Sequence, residues 1–386
     1  MMRLNATIVR YPHLALIEWP FHVVPNEVLY PMMADRTELR KDIKTLLRNL
    51  SRKSASSMHL MWAWFGTGKT HALHHITHLC QSEEHDIIPI YLEFPRATRR
   101  FLDLYRFLIS GINPRIINDA YLEVFTSPLK NNIQMELQSD FPDLSNALLL
   151  LYQGKGSERD IVLGWLRTEV RDLRTLRTVG VSRPIATAED AIRTMAWLIR
   201  LISLGSSYSN GSYRRILWML DEFQRIKDCR LPVRDEICSC LSSVFNRCPD
   251  GLSIMISFTG RPEQKKMPDW LSRDLIDRIG IEKVLLLPPL TADDALVFVR
   301  DLLQYFRNPQ FGNTNEFFPF NEETTRTIVD IIHEKKAELK PRTIMQFFNA
   351  VLEEADILIE NGNLNLITPN FARDILKGRV FLDQEE

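Results

Sequence analysis

Cysteine is scarce in this 386-residue chain, and the few present follow no metal-binding pattern. They are Cys80, Cys229, Cys238, Cys240 and Cys248, five in all. An odd number in a long chain argues against a disulfide framework. No Cys-x-x-Cys pair occurs, so a structural zinc site is not expected and the thiols read as free, buried side chains. Long apolar runs are missing too. None approaches the ~20 residues needed to cross a bilayer, so no membrane span is expected. Charge excess is also absent: 48 Lys and Arg stand against 49 Asp and Glu, a formal −1. That balance excludes a surface that grips nucleic acid everywhere; a basic footprint has to be local. Met1 to Arg10 lacks a basic stretch followed by a long apolar core, so no export signal is read and a cytoplasmic location is expected. Internal repeats and low-complexity tracts are lacking as well.

What is present is ordinary globular chemistry, 45% hydrophobic and 25% charged, in a chain long enough for more than one domain. Its most informative stretch is Ala63-Trp64-Phe65-Gly66-Thr67-Gly68-Lys69-Thr70. It fits the phosphate-cradling pattern G-x-x-x-x-G-K-[ST], with Ala63 in place of the leading Gly. The apolar run Met58 to Phe65 enters the loop and a helix-like segment, His71 to Cys80, leaves it. Gly66 and Gly68 let backbone amides close around a polyphosphate, and the helix start adds its positive end. Lys69 is expected on the β- and γ-phosphates of ATP and Thr70 on Mg²⁺, with Ala63 through His71 lining the nucleotide.

A second motif is Arg215-Ile216-Leu217-Trp218-Met219-Leu220-Asp221-Glu222. Its apolar run reads as a strand buried on both faces. Ligands of open α/β sheets bind outside the carboxyl ends of the strands, where this pair of acids stands. Asp221 is expected to hold Mg²⁺ through water, and Glu222 to act as general base on the attacking water. A Glu after the Asp favours hydrolysis over binding alone.

Further strands are expected at Ile87 to Phe94, Leu252 to Phe258 and Ile281 to Leu287, with helical patterns between. The fold class is therefore α/β, with a five-stranded parallel sheet. Residues 96–213 far exceed the dozen or so that a crossover needs, so they read as a helical insertion. Helical periodicity covers Phe101 to Ile109, Leu144 to Tyr152, Asp160 to Leu176 and Ala188 to Leu204, the last opened by a capping box at Thr187. Gly205 to Gly211 reads as a flexible return. After Pro288-Pro289 the chain turns all-helical, with a capping box at Thr291 and Asp294 and a Thr368-Pro369 helix start. The expected division is 1–57 as a leading segment and helix, 58–95 and 214–290 as the α/β core, 96–213 as the insertion and 291–386 as a helical lid.

Arg167, Arg171 and Arg174 fall on one helix face, with Val170, Leu173 and Leu176 turned elsewhere, toward a core. Such a ridge could hold DNA phosphates by charge. Glu169 and Asp172 dilute it, and a solvated charged face is the alternative.

The ordered set Trp64-Phe65-Gly66-Thr67-Gly68-Lys69-Thr70, Leu220-Asp221-Glu222-Phe223, Ser257-Phe258-Thr259-Gly260-Arg261, Leu286-Leu287-Pro288-Pro289-Leu290-Thr291 and Lys340-Pro341-Arg342-Thr343 resembles the AAA+ ATPases, most closely the Orc/Cdc6 clade and related bacterial helper and defence ATPases. The resemblance spans roughly 30–100 and 214–376. It implies a P-loop NTPase that hydrolyses ATP between the sheet domain and the lid. Thr259, or Ser257 just before it, matches the polar group that positions the lytic water. Arg342 matches the lid arginine that reaches the γ-phosphate. Arg278, with Arg273 as the competing choice, matches the finger that a neighbouring subunit inserts. An arginine acting in trans implies an ATP-dependent homo-oligomer. Partner proteins from the same operon, and a DNA-linked process such as replication, transposition or anti-phage defence, are further implications. Strand two ends in Leu92-Glu93-Phe94, where many relatives carry a small polar residue that restrains the catalytic Glu. Too few residues follow Thr368 for the winged-helix domain of an initiator, a departure from the family pattern that puts autonomous sequence-specific DNA binding in doubt. Rival readings are an ATP-gated scaffold with little turnover and a STAND-like switch held closed by ADP.

Overall fold

The computed structural model describes residues 9–24, 27–82, 86–128, 130–206, 214–260, 267–312, 314–377 and 379. Arg261 and most of the Gly205 to Gly211 return lie outside the described residues. In chain order the strands are β1 (Ser57–Ala63), β2 (Ile87–Glu93), β3 (Arg215–Asp221), β4 (Leu252–Thr259) and β5 (Ile279–Leu287). The helices are α1 (Thr37–Arg52), α2 (Lys69–Ser82), α3 (Phe101–Ser110), α4 (Pro114–Thr126), α5 (Lys130–Asp140), α6 (Pro142–Gln153), α7 (Gly156–Leu166), α8 (Leu173–Thr178), α9 (Ala188–Ser206), α10 (Leu231–Arg247), α11 (Arg273–Ile276), α12 (Ala292–Tyr305), α13 (Glu322–Glu334), α14 (Pro341–Glu360) and α15 (Pro369–Lys377). They divide into two compact units: residues 42–62 with 76–286, and residues 1–41 with 63–75 and 287–386.

The first unit carries the parallel sheet, in the order β2-β3-β4-β1-β5. β3 is buried at every residue, which explains its unbroken apolar run. Its register against β2 sets Glu93 opposite Asp221, so both acids stand at the carboxyl end. At the other end Arg215 is fully buried. It donates to Ser253 Oγ (2.8 Å) and to the carbonyls of Lys53 and Ser54, and burial pulls its pKa down to about 10. The helical region 96–213 does not form a core of its own. Leu104, Tyr105, Trp165 and Leu198 share one apolar cluster with Ile90, Leu92 and Trp218 of the strands. Each large side chain so buried contributes roughly 1.5–3 kcal/mol. Thr187 caps α9 as expected: its Oγ1 accepts from the Asp190 amide (3.1 Å) and donates to Asp190 Oδ2 (2.8 Å).

One expected helix is broken. Residues 160–176 do not form a single helix, because α7 stops at Leu166 and α8 begins at Leu173. Thr168 adopts φ +60°, and the Gly164 carbonyl accepts both the Glu169 amide (2.7 Å) and the Val170 amide (3.1 Å). A Cβ on Gly164 would lie 2.6 Å from Val170 Cγ2, so any larger residue there would force the Val170 side chain to shift. Arg106 Nε donates to Thr168 Oγ1, and Asp172 caps α8 through the Thr175 amide (2.8 Å). Arg167 ends one helix, Arg171 sits in the turn with its Nε on the Thr168 carbonyl (3.2 Å), and Arg174 belongs to the next helix. The expected one-face ridge is therefore not formed. Leu173, expected in a core, is 45% exposed.

The second unit is built on Phe21, Phe306, Phe320, Phe347 and Phe348, packed with the apolar faces of α12 to α15. The α12 capping box forms as the sequence predicts: the Asp294 amide donates to Thr291 Oγ1 (3.2 Å) and the Thr291 amide to Asp294 Oδ2 (3.1 Å). Thr368 Oγ1 accepts from the Phe371 amide (3.3 Å) at the start of α15.

Candidate functional site

The loop between β1 and α2 takes its shape from backbone conformation. Gly66 and Gly68 have φ of +80° and +96°, a region that costs other residues about 1–2 kcal/mol. Nothing crowds a Cβ at Gly68, so φ alone demands glycine there. Ala63, at the position of the usual first Gly, is the last residue of β1; a strand residue can carry a Cβ. Thr67 is buried and folds the loop on itself, its Oγ1 donating to the Trp64 carbonyl (2.8 Å). Arg36 braces the loop by donating from Nη2 to the carbonyls of Thr67 (3.3 Å) and Pro288 (2.9 Å). Lys69, buried, and Thr70, half-buried, open α2, whose first turn holds no acidic residue to oppose an anion.

The leading segment is tied to the start of α2. His71 Nε2 bonds the Met32 carbonyl (2.7 Å), His75 Nδ1 bonds the Tyr30 carbonyl (2.8 Å), and the Tyr30 ring stacks on His74 at 4.3 Å. Bonding to a carbonyl requires each of those nitrogens to carry the hydrogen. Burial pulls the His71 pKa down to about 4, which keeps the ring neutral. Its side chain faces the Met32 carbonyl, so what it offers a nucleotide is its backbone amide.

Arg342, in the first turn of α14, lies against the same loop. Its guanidinium sits 4.7 Å over the Phe65 ring, and its amide donates to the Gly66 carbonyl (3.3 Å). Lys340 Nζ pairs with Glu338 Oε2 (2.8 Å) and lies 5.8 Å over the Trp64 ring. Lys340 and Arg342 both belong to Lys340-Pro341-Arg342, so one short stretch brings two cations to the aromatic residues of the loop.

In the sheet-bearing unit, side-chain bonds rather than glycines shape the site. Asp221 is fully buried at the end of β3. Three donors converge on it: the Glu222 amide (2.8 Å) and Ser257 Oγ (3.1 Å) on Oδ1, and Tyr91 Oη (3.1 Å) on Oδ2. Burial and the Asp221 charge push the Tyr91 phenol well above its ordinary value, so it remains a donor. Glu222 has φ +53° and ψ +34°, left-handed geometry that a glycine would hold more cheaply. Strain of this kind is kept where surrounding structure and function require the side chain. Gln224 Nε2 donates to Glu222 Oε2 (2.7 Å).

Of the strand-four candidates, Ser257 bonds Asp221 itself, and the Thr259 amide donates to Gln224 Oε1 (3.1 Å). Glu93 is engaged by Arg225 (2.6 Å), whose Nη1 also reaches the Phe94 carbonyl (3.0 Å). Arg278 is held by its own chain: Nη2 bonds Asn246 Oδ1 (3.1 Å) and Nη1 bonds the Asp274 carbonyl. Arg273, first residue of α11, is exposed. No local pattern in the sequence marks Tyr91 or Gln224: Tyr91 meets Asp221 across two strands, and Gln224 joins its near neighbour Glu222 to Thr259 at the end of β4.

These parts suit ATP and Mg²⁺. In the loop-bearing unit the amides, the helix start and Lys69 suit an anion and the Thr70 hydroxyl suits a hard cation; in the sheet-bearing unit the Asp221 carboxylate is likewise a hard oxygen of the kind Mg²⁺ prefers. The fold is α/β, a five-stranded parallel sheet with a helical region inserted between β2 and β3 and helices after β5. No family model and no curated protein sequence matches the chain. Among solved structures it is similar to the Orc2 protein of Aeropyrum pernix in its ADP form, at 10% identity over 96% of this chain and 73% of that one, with a TM-score of 0.49. Cdc6 of Pyrobaculum aerophilum is 12% identical over 92% and 71%, with a TM-score of 0.48. Drosophila ORC bound to DNA is 11% identical over 97% and 68%, with a TM-score of 0.49.

Proposed function

We propose that the protein is a Mg²⁺-dependent ATPase that hydrolyses ATP to drive assembly or remodelling of a DNA-associated complex, in replication, transposition or anti-phage defence. Lys69 and the loop amides hold the phosphates. Thr70 and Asp221 hold the Mg²⁺, which when bound supplies positive charge against the phosphate oxygens. Glu222 takes the proton from the attacking water, and Ser257 and Tyr91 keep Asp221 oriented. Arg342 leaves Phe65 for the γ-phosphate. Arg278 or Arg273 completes the site of a neighbouring subunit, which makes the working form an ATP-dependent homo-oligomer.

One observation carries the hydrolase reading: Glu222 keeps a left-handed conformation directly after Asp221, at the carboxyl end of the sheet whose β1 runs into the glycine loop. A strained carboxylate held beside a buried acid at a strand's carboxyl end is the arrangement a general base for hydrolysis calls for. The DNA-linked role and the operon partners follow from the motif resemblance, and the broken helix at 167–172 removes the ridge as their support. Steady-state phosphate release by the wild type and by Glu222→Gln tests the reading. A fall of at least ~100-fold in the variant is expected. Equal rates would favour the ATP-gated scaffold. Mass measurement with and without ATP tests the oligomer.

A further inference from the structure

The hydrogen bonds of Gln224 exceed anything the roles above require. Gln224 lies in the 3-10 turn Phe223–Asp228 that follows Glu222. Phe223 anchors this turn, fully buried against the rings of Phe94 (5.4 Å) and Trp270 (6.3 Å). The Gln224 side chain uses both ends. The Thr259 amide can only donate, so Gln224 must face it with Oε1, at 3.1 Å. That choice turns Nε2 toward Glu222, where it donates to Oε2 at 2.7 Å. One side chain thus links the acid after β3 to the last residue of β4. At the end of β2, Glu93 is itself an acid and is paired with Arg225.

We infer that Gln224 is a positioning residue for ATP hydrolysis: it fixes the Glu222 carboxylate and registers it against the end of β4. This inference rests on the hydrolase reading of the same site. A general base works only within hydrogen-bond reach of its proton, ~2.6–3.2 Å, and an ångström of misplacement costs on the order of 100-fold in rate. A glutamate has three rotatable side-chain bonds, and Gln224 removes that freedom at the carboxylate. It also makes the base sensitive to any shift of the β4 tip.

The test is a kinetic cycle on the full chain. Gln224→Met keeps the side chain's length and removes both bonds. It is expected to lower kcat by about 10- to 100-fold and leave KM for ATP within about twofold. In a Glu222→Gln background, under single-turnover conditions, the same change is expected to have no further effect, because Gln224 acts through Glu222. Gln224→Glu keeps an acceptor for the Thr259 amide and loses the donor, so it is expected to lose rate as well; it serves in place of the Met variant if that fails to fold. The inference is overturned if Gln224→Met keeps kcat within twofold of wild type, or if it lowers the rate equally in both backgrounds. An active wild type with a dead Glu222→Gln and an unaffected Gln224→Met overturns this inference alone. A wild type that binds ATP and releases no phosphate overturns the hydrolase reading and this inference together.

Discussion

The glycine loop and the acid turn solve one conformational problem in opposite ways. Both need backbone with positive φ. The loop uses Gly66 and Gly68, for which that region is nearly free. The acid turn puts Glu222 there, accepts strain of about 1–2 kcal/mol, and holds the side chain through Gln224. Where the backbone itself is the ligand, glycine is the better residue. Where a carboxylate is the working part, the side chain must stay and the surroundings must pin it.

The first way to break this comparison is to remove the loop's cation. Lys69→Ala is expected to weaken ATP binding by at least ~100-fold, measured by calorimetry, because the phosphates lose their buried positive partner. The second is to put a side chain where the loop uses none. Gly68→Ala meets no neighbour, so its penalty is conformational, about 1–2 kcal/mol. A loss of about 1–2 kcal/mol is expected in denaturant unfolding, with ATP binding weakened up to about tenfold where the loop relaxes away from its cradle shape to relieve the strain.

The loop was legible in the sequence for the reason these changes are expected to work. Its backbone dictates residue type, so Gly-x-Gly-Lys-Thr betrays it. β3 was legible because burial on both faces leaves an unbroken apolar run ending in acids. The acid turn's partners were not. Tyr91 reaches Asp221 from β2, Ser257 reaches it from β4, and Gln224 is defined by a bond to Thr259. Such contacts depend on strand order, which no local pattern encodes. The break between α7 and α8 was hidden likewise: Thr168 turns left-handed because Val170 packs on Gly164 and Arg106 meets the Thr168 hydroxyl.

A third change sharpens the contrast by moving the loop's solution into the acid turn. Glu222→Gly is expected to raise stability by about 1 kcal/mol in denaturant unfolding while abolishing turnover. Loss of stability would show that Glu222 is not strained. The smallest effect belongs to Asp35, a left-handed residue (φ +50°) that is not glycine, in the loop-bearing unit. Its Oδ2 is buried without a hydrogen-bond partner. Burial first, then the Asp294 charge and Asp301, push its carboxyl up to about 7, against the opposing pull of Arg36 and Arg40. An acid raised in the fold stabilises while protonated. That contribution is complete below the ordinary carboxyl range and is lost as pH rises through about 7. Asp35→Asn, which tolerates the same φ, is expected to raise the melting temperature at about pH 8, with the gain shrinking steadily toward about pH 4. A gain that does not change with pH would assign the effect to packing.

The most direct measurement follows labelled ATP through the wild type, Lys69→Ala and Glu222→Gln side by side, reading the nucleotide that remains bound after gel filtration. A loop that binds and an acid that hydrolyses predict ADP on the wild type, intact ATP on Glu222→Gln and neither on Lys69→Ala. ADP forming on Glu222→Gln as fast as on the wild type, or full ATP retention by Lys69→Ala, would contradict that division of labour.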